Sequence, residues 1–244
     1  MQQLSFPNES AAYRDARAAL LDAEIDLRRR IEAVAAQRRA LPPGGAVPED
    51  YVFERIGVHH RPEPVKLSQL FGGFPSIILY SFMFGAERDN PCPGCTHILD
   101  AIDGSARHVG QRAPLYIVAK SPIARLEAWA KERRRPHLIF LSDVEGRYSA
   151  DYYGDTSKLT AAKRAERGMA EGEDWDETIF NVFRKDGDTV RHHWASEMSY
   201  GPSDPGEHHR AGDLVDPLWG LLDMTPEGRG NFFPSLSYAG DGRG

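Results

Sequence analysis

The sequence predicts an α/β fold in which a central mixed sheet is flanked by helices. Three short apolar runs, typical of strands that are buried on both faces, cover residues 77–84, 115–119 and 138–141. Helical patterns of about 10–15 residues separate these runs, so we expect parallel strands joined by helical crossovers. Asp186 and Gly187, which stand between two further strand patterns, form a strong hairpin signal and predict an antiparallel end to the sheet.

One long helix is predicted near the N-terminus, over residues 8–40. Apolar side chains recur there at every seventh position: Tyr13, Leu20, Leu27, Val34 and Leu41. Asn8 or Ser10 would cap its start, and the Pro-Pro-Gly-Gly run at residues 42–45 ends it. We therefore predict a helical extension over residues 1–45. We expect its apolar stripe to pack on its own domain, and a coiled-coil arm that makes a homodimer is the alternative.

A domain over residues 46–230 is predicted to hold the sheet. Ahead of the first buried run we expect a strand over residues 51–56 and a helical turn over residues 67–71. The crossover helices are expected over residues 98–109 and 123–134, where apolar side chains follow a helical spacing.

The last third of the chain changes character. Residues 147–177 are polar and charged, so we expect a loop or loose helix inserted into the domain. The hairpin strands are expected over residues 178–183 and 189–194, and a final helix over residues 213–224. Residues 231–244 are predicted to form a loose tail.

Composition limits the classes of function. The 244 residues carry 30 Lys+Arg and 36 Asp+Glu, a formal net charge of −6, whereas nucleic-acid binding favours a basic face. No apolar run approaches the roughly 18 residues that cross a bilayer. Residues 1–10 lack the basic and apolar regions of a secretory signal. We therefore expect a cytoplasmic protein without a membrane or nucleic-acid partner.

Cys92 and Cys95 are the only two cysteines of the sequence, and they form a Cys-Pro-Gly-Cys motif. In a reducing compartment such a pair is either a redox dithiol or half of a metal site. Pro93 suits the first position of a helix, so Cys92 is expected at the N-cap, where free backbone N–H groups stabilise a thiolate. Cys95 would lie one turn deeper, where it can resolve a mixed disulfide formed on Cys92.

The order of a buried strand, this motif, two crossover units and a terminal hairpin resembles the thioredoxin-like fold. More closely, the chain is similar to an uncharacterised bacterial family of thioredoxin-like proteins, a domain-of-unknown-function group. The matching stretches are residues 50–53 (Asp-Tyr-Val-Phe), 82–85 (Phe-Met-Phe-Gly), 92–95 (Cys-Pro-Gly-Cys) and 222–229 (Leu-Asp-Met-Thr-Pro-Glu-Gly-Arg). The likeness covers most of residues 8–230. It implies a thioredoxin-like domain whose catalytic residues, if it turns over, are Cys92 and Cys95.

Two departures from working thioredoxins stand out. Pro91 precedes the first cysteine, where thioredoxins usually have an aromatic residue. Residues 176–178 (Asp-Glu-Thr) lack the cis-proline that faces the thioredoxin active site, which speaks against efficient exchange with protein disulfides. A threonine there is more like peroxiredoxins, but their Pro-x-x-x-Thr-x-x-Cys run is absent, because Gly85 and Asp89 occupy its places.

Three functions therefore stay open. We predict a thiol–disulfide oxidoreductase without an organic cofactor, which acts on a thiol or disulfide substrate or a protein redox partner. The alternatives are a non-catalytic binding module and a metal site. Zinc would need two further ligands besides the cysteines. Histidine pairs offer themselves at residues 59–60, 192–193 and 208–209, although we interpret all nine histidines as solvated or locally hydrogen-bonded. Neighbours on a strand point to opposite faces, so only one of the residues 192–193 could serve a shared site. His97 could shuttle protons to the cysteines, or simply lie on the helix surface.

Overall fold

The computed structural model describes residues 4–170 and 173–239 of the chain. The residues left outside this description are 1–3, 171–172 and 240–244. They belong to the predicted N-terminal extension, the predicted insertion and the predicted tail. The chain divides into two compact units, residues 1–44 and 45–244.

The first unit is built on one helix, α1 (Ala11–Arg39). Ser10 caps it, because its Oγ accepts the backbone N–H of Tyr13 at 3.1 Å. The long helix is thus confirmed, with a start three residues later than predicted. No residue of α1 is buried, and the side chains of the apolar stripe are 43–60% exposed. Packing of this stripe on its own domain and pairing of two copies both stay predictions.

The second unit contains one mixed sheet, which has seven strands in the described part of the chain. They are β1 (Val52–Ile56), β2 (Pro62–Lys66), β3 (Ser76–Ser81), β4 (Leu115–Ala119), β5 (Phe140–Ser142), β6 (Phe180–Asp186) and β7 (Thr189–Ala195). Their order is β2-β1-β5-β4-β3-β6-β7. Strands β3, β4 and β5 are parallel, and all other neighbours pair antiparallel. The predicted α/β class is therefore confirmed.

Helices cover this sheet and connect its parallel strands. They are α2 (Pro93–Val109), α3 (Ile123–Glu132), α4 (Arg147–Asp151), α5 (Ala161–Glu166) and α6 (Pro217–Asp223), with 3-10 turns at Leu67–Gln69 and Glu197–Tyr200. Helix α2 connects β3 to β4, and α3 connects β4 to β5, so the predicted crossovers are present. No helix among the described residues is long and apolar enough to cross a membrane.

Two apolar clusters form the core of this unit. One surrounds Phe53, Leu67 and Tyr148, and the other contains Phe82, Leu99, Trp129 and Cys95 among its buried members. Burying a side chain such as Leu99 completely contributes roughly 1.5–3 kcal/mol. Because Cys95 belongs to the second cluster, the apolar face of α2 holds one thiol of the motif inside the protein.

Several element boundaries differ from the predictions. The run at residues 77–84 leaves the sheet after Ser81, yet Phe82 and Phe84 stay buried in the second cluster, so apolar character does not mark the end of the strand. Strand β2 was not predicted because it contains two prolines, which an edge strand tolerates. In the hairpin Asp186 pairs with Thr189, so Gly187 and Asp188 form the turn and Gly187 takes a positive φ of 58°.

The final helix is shorter than predicted. It begins at Pro217 rather than near residue 213, because the Asp216 carboxylate caps it by accepting the backbone N–H of Leu218 at 3.0 Å. Proline is well suited to the position that follows such a cap. Over residues 147–170 and 173–177 the chain forms α4, α5 and loops, and its assignment as an insertion stays a prediction.

Candidate active site

Cys92 lies at the N-cap of α2, as the sequence predicts. Its backbone is extended (φ −61°, ψ 127°), and Pro93 occupies the first turn of the helix. The Cys92 N–H donates to the Met83 carbonyl at 3.0 Å, and the Cys92 carbonyl accepts the Thr96 N–H at 2.9 Å. The motif is thereby bonded on one side to the chain that leaves β3 and on the other to the first turn of α2.

The pKa values of the two thiols are shifted in opposite directions. A hydrogen bond from the Cys95 thiol lowers the pKa of Cys92 to about 6, and the backbone N–H groups of Cys95 and Gly94 act in the same direction against the effect of burial. The Arg88 guanidinium adds a smaller favourable charge. The bond to Cys92 and complete burial raise the pKa of Cys95 well above its ordinary value. Both thiols are free, Cys92 half-buried and Cys95 buried.

Tyr80, which the sequence did not single out, approaches the buried thiol from β3. Its hydroxyl accepts a hydrogen bond from Thr178 Oγ1 at 2.8 Å, and its own hydrogen bond to Cys95 lowers the pKa of that thiol. Burial keeps Tyr80 protonated by raising its pKa. Inside the apolar run at residues 77–84, the tyrosine reads as an ordinary core residue. Only the pairing of the strands brings it and Thr178 to the motif.

Arg125 of α3 holds the loop that precedes Cys92. Its guanidinium donates to the carbonyl oxygens of Gly85 at 3.1 Å and Asp89 at 3.2 Å, and also to that of Arg88. It also lies 4.1 Å from the centre of the Phe84 ring. One side chain therefore satisfies three carbonyl groups of an irregular segment.

The Asp176 carboxylate holds the same loop from the inserted segment. It accepts the Gly85 N–H at 2.6 Å and faces the Arg88 guanidinium at 3.4 Å and Lys120 Nζ at 3.5 Å. The fold thus places Asp176 beside the loop that leads to Cys92, although 84 residues separate Asp176 from that cysteine in sequence.

A cavity of about 330 Å³ opens onto the two cysteines. Its lining residues come from β3, from the start of α2, from the chain around the start of β6, and from the chain that follows β7 as far as residue 234: Tyr80, Cys92, Gly94, Cys95, Ile98, Thr178, Ile179, Phe180, Ser196, Ser199, His208, His209, Ala211, Gly212, Val215, Asp216, Trp219, Phe232, Phe233 and Pro234. A larger cavity of about 480 Å³ lies beside Tyr152 and His192, and neither cysteine lines it.

The C-terminal segment forms one wall of the cysteine cavity, which corrects the prediction of a loose tail. Phe233 Cζ lies 3.3 Å from the point where a Cβ on Gly94 would stand, so the ring covers the first turn of α2. Pro234 is buried, and the Leu236 carbonyl accepts a hydrogen bond from Arg133 at 3.0 Å. The remainder of the predicted tail, residues 240–244, lies outside the described residues.

Charged side chains hold α6 against this wall. Arg229 pairs with Asp213 at 2.9 Å and with Asp223, and its guanidinium lies 5.4 Å from the centre of the Trp219 ring. His97 Nε2 lies 2.9 Å from the buried Asp216 carboxylate. His97 thus connects α2 to the cap of α6, and a role in proton transfer to the cysteines stays a prediction.

The histidine pairs are separated by the fold. His208 and His209 line the cysteine cavity, whereas His192 bonds Asn181 at 3.0 Å beside the larger cavity. His60 lies in the turn between β1 and β2. Among residues 4–170 and 173–239, no group of three or more His, Cys, Asp or Glu side chains is arranged to hold a metal ion.

Over residues 3–239 the chain matches the family described as bacterial protein of unknown function (DUF899). The chain belongs to this family. No curated protein matches it. The fold is that implied by the thioredoxin-like resemblance, because β3, α2, β4, α3, β5 and the β6–β7 hairpin follow one another in that order around the motif.

Solved structures similar to this DUF899 chain include the peroxidoxin BcpB from Mycobacterium tuberculosis, at 17% identity and a TM-score of 0.45 over 72% of this chain and 94% of that one. A second is a peroxiredoxin, at 11% identity and a TM-score of 0.47 over 72% and 98%. A third is a putative thioredoxin reductase from Burkholderia cenocepacia, at 13% identity and a TM-score of 0.44 over 76% and 98%.

The stretches that carry the family resemblance now have structural explanations. Residues 50–53 lead into β1 and bury Tyr51 and Phe53, and residues 82–85 lead out of β3 towards the cysteines. Residues 222–229 contain Asp223 and Arg229, which pair with each other beside Trp219. In this DUF899 chain Tyr51 and Phe53 belong to the first apolar cluster, whereas Phe82 and Phe84 belong to the cluster that contains Cys95. Arg229 supports Trp219, which lines the cysteine cavity.

Proposed function

We propose that the protein is a thiol–disulfide oxidoreductase in which Cys92 is the nucleophile and Cys95 the resolving thiol. The observation that carries the proposal is the position of Cys92 at the N-cap of α2, half-buried at a cavity, with its pKa lowered to about 6. At neutral pH such a thiol is mainly thiolate, which is the form that attacks a disulfide.

The reaction follows from the arrangement of the two thiols. The Cys92 thiolate attacks one sulfur of a substrate disulfide, forms a mixed disulfide and releases the first substrate thiol. Cys95 then loses its proton and attacks the Cys92 sulfur, which breaks the mixed disulfide and releases the second thiol. The substrate gains two electrons, and the protein is left with a Cys92–Cys95 disulfide.

Trapping the mixed disulfide tests this assignment. We expect Cys95→Ser to accumulate a stable adduct on Cys92 when the protein is treated with an aromatic disulfide, because the resolving thiol is missing. Cys92→Ser is the matched control and should trap little, since the buried Cys95 has a raised pKa. Intact-mass spectrometry before and after reduction distinguishes the two variants.

Three results would contradict the proposal. Equal alkylation rates for the two thiols near neutral pH would remove the asymmetry on which the roles depend. Metal analysis of the same sample tests the alternative of a metal site. Stoichiometric zinc or iron that is lost on Cys92→Ser would favour that alternative. A protein that keeps the thiol asymmetry but turns over no disulfide would instead be a binding module.

A further inference from the structure

The cavity at the dithiol has the size of a small-molecule site. Its volume of about 330 Å³ lies at the lower end of the range in which proteins bind small ligands, roughly 300–1,000 Å³. Phe233 covers the first turn of α2 on one side, and Trp219 of α6 stands on the wall that Arg229 supports. A substrate therefore reaches Cys92 inside a walled space rather than on an open surface.

The walls of this cavity favour an apolar ligand. The aromatic side chains of Phe180, Trp219, Phe232 and Phe233 line it together with Ile98. Contact with such walls removes apolar surface of a ligand from water, and ring-on-ring contacts add to the attraction.

The charges at the cavity disfavour an anion. Among the described residues that line it, none is Lys or Arg, and Asp216 contributes a carboxylate. Burial lowers the pKa of His208, which favours its neutral form. The Arg88 guanidinium, whose charge helps to lower the pKa of Cys92, already faces Asp176 at 3.4 Å and does not line the cavity. A negatively charged substrate would thus leave water without gaining a counter-charge, which costs free energy.

We propose that the substrate of this dithiol is a small, neutral, apolar disulfide, aromatic or of similar shape, rather than an anionic disulfide or a disulfide of a folded protein. This inference rests on the proposed oxidoreductase function and specifies its substrate class. One molecule of the disulfide R–S–S–R accepts two electrons from the two cysteine sulfurs. It takes up one proton from Cys95 and one from water, and leaves as two molecules of R–SH. A dithiol reductant, in the assay dithiothreitol, then reduces the Cys92–Cys95 disulfide and restores the enzyme.

Two aromatic disulfides that differ in charge test the proposal. Dithiodipyridine is neutral near neutral pH, and dithiobis(nitrobenzoate) is a dianion. Both release a thiol whose absorbance follows the reaction. For each disulfide, the rate constant of the reduced protein is divided by the rate constant of free glutathione with the same disulfide, which corrects for the intrinsic reactivity of that disulfide. The corrected ratio is the value for dithiodipyridine divided by the value for dithiobis(nitrobenzoate). We expect the corrected ratio to favour the neutral disulfide on the order of tenfold, because only the anion is buried without a partner.

Substitutions of residues that line the cavity test whether the cavity causes the preference for the neutral disulfide. Phe233→Ala and Trp219→Ala should reduce the corrected ratio several-fold. The rate of Cys92 alkylation by iodoacetamide, which is small and neutral, is measured beside it to account for any change in the accessibility of the thiol. Phe6→Ala, which removes an exposed phenylalanine from the N-terminal unit, is the matched control and should change neither rate. Phe233 is 65% exposed, so its variant is expected to fold even if Trp219→Ala does not.

The outcomes separate the two levels of the proposal. If the protein reduces neither disulfide faster than glutathione does, the oxidoreductase function itself is wrong. If the protein reduces both disulfides with the same relative rates as glutathione, the oxidoreductase function stands and the substrate class is wrong. The same conclusion follows if it reduces the disulfides of insulin as fast as dithiodipyridine. An unchanged ratio in folded Phe233→Ala and Trp219→Ala would also overturn the assignment to this cavity.

Discussion

Cys92 and Cys95 are chemically the same group and differ through position alone. Cys92 stands where the first N–H groups of α2 have no partner within the helix, and Cys95 lies one turn further, inside an apolar cluster. The N–H groups favour the thiolate of Cys92, and burial favours the neutral thiol of Cys95. The hydrogen bond between them strengthens both effects, because the proton remains on Cys95.

The lowered pKa of Cys92 predicts an unusual pH profile for its alkylation. Since only the thiolate reacts, the rate should rise as pH increases through about 6 and level off above it. An ordinary thiol has its midpoint at about 8.5. Rates of iodoacetamide modification, measured for each cysteine by mass spectrometry, give the midpoint directly.

Substitution of Cys95 tests whether its hydrogen bond causes the lowered pKa of Cys92. In Cys95→Ala the midpoint of Cys92 should move to higher pH, because the strongest stabilising hydrogen bond is lost. A midpoint of the unsubstituted protein near that of a free thiol would contradict the N-cap account. An unchanged midpoint in Cys95→Ala would assign the shift to the backbone alone.

At the scale of elements, the loop at residues 85–91 decides where the motif sits. It is the irregular part of the connection between β3, which ends at Ser81, and α2, which begins at Pro93. Arg125 from α3 and Asp176 from the insertion supply the bonds that the loop cannot make within itself. Backbone groups that lack a partner within their own segment need one elsewhere, so these two side chains position Cys92 from outside the loop.

Arg125→Lys should lower the free energy of unfolding, because a single ammonium group cannot satisfy three carbonyl groups that the planar guanidinium reaches at once. A loss of about 1.5–3 kcal/mol is expected, the usual range for hydrogen bonds to charged groups. Urea denaturation of the reduced protein measures it. Arg134→Lys, an exposed arginine just beyond the same helix, is the control and should stay close to the unsubstituted protein. Equal stability of the two variants would show that Arg125 does not hold the loop.

At the scale of the whole molecule, the N-terminal unit and the sheet domain form separate compact units. Apolar side chains line α1, and all of the stripe residues are exposed in the chain as described. Contact of such a stripe with other apolar surface removes it from water and lowers the free energy. We therefore keep the expectation that the stripe is a packing surface, in cis or on a second copy.

Deleting residues 1–43 tests this expectation. The truncation leaves Gly45, whose carbonyl accepts the N–H of His192, and Val47, whose N–H donates to Val190. The sheet thus keeps its edge contacts. We expect a lower Tm, accompanied by a lower solution mass if the stripe pairs two copies. Calorimetry and light scattering measure the two quantities. If both are unchanged, the stripe is not a packing surface.

The sequence by itself determined the α/β class, the long helix, the crossover units and the position of Cys92 at a helix start. Each depends on local chemistry: apolar periodicity, a proline at the first helical position, a serine cap and a glycine turn. These signals act over one or two turns of chain, so they can be read without knowing the rest of the fold.

Only the tertiary structure decided what surrounds the dithiol. Tyr80 forms a hydrogen bond with Cys95 from a strand whose sequence predicts only an apolar core position. Asp176, from the insertion, accepts a hydrogen bond from the loop ahead of Cys92. Phe233 covers Gly94 from a segment whose sequence reads as a loose tail. These contacts join residues that are 15 to 139 positions apart. These contacts are stabilised by burial and by hydrogen bonds between distant segments. Local sequence periodicity does not predict which distant segments will make such contacts.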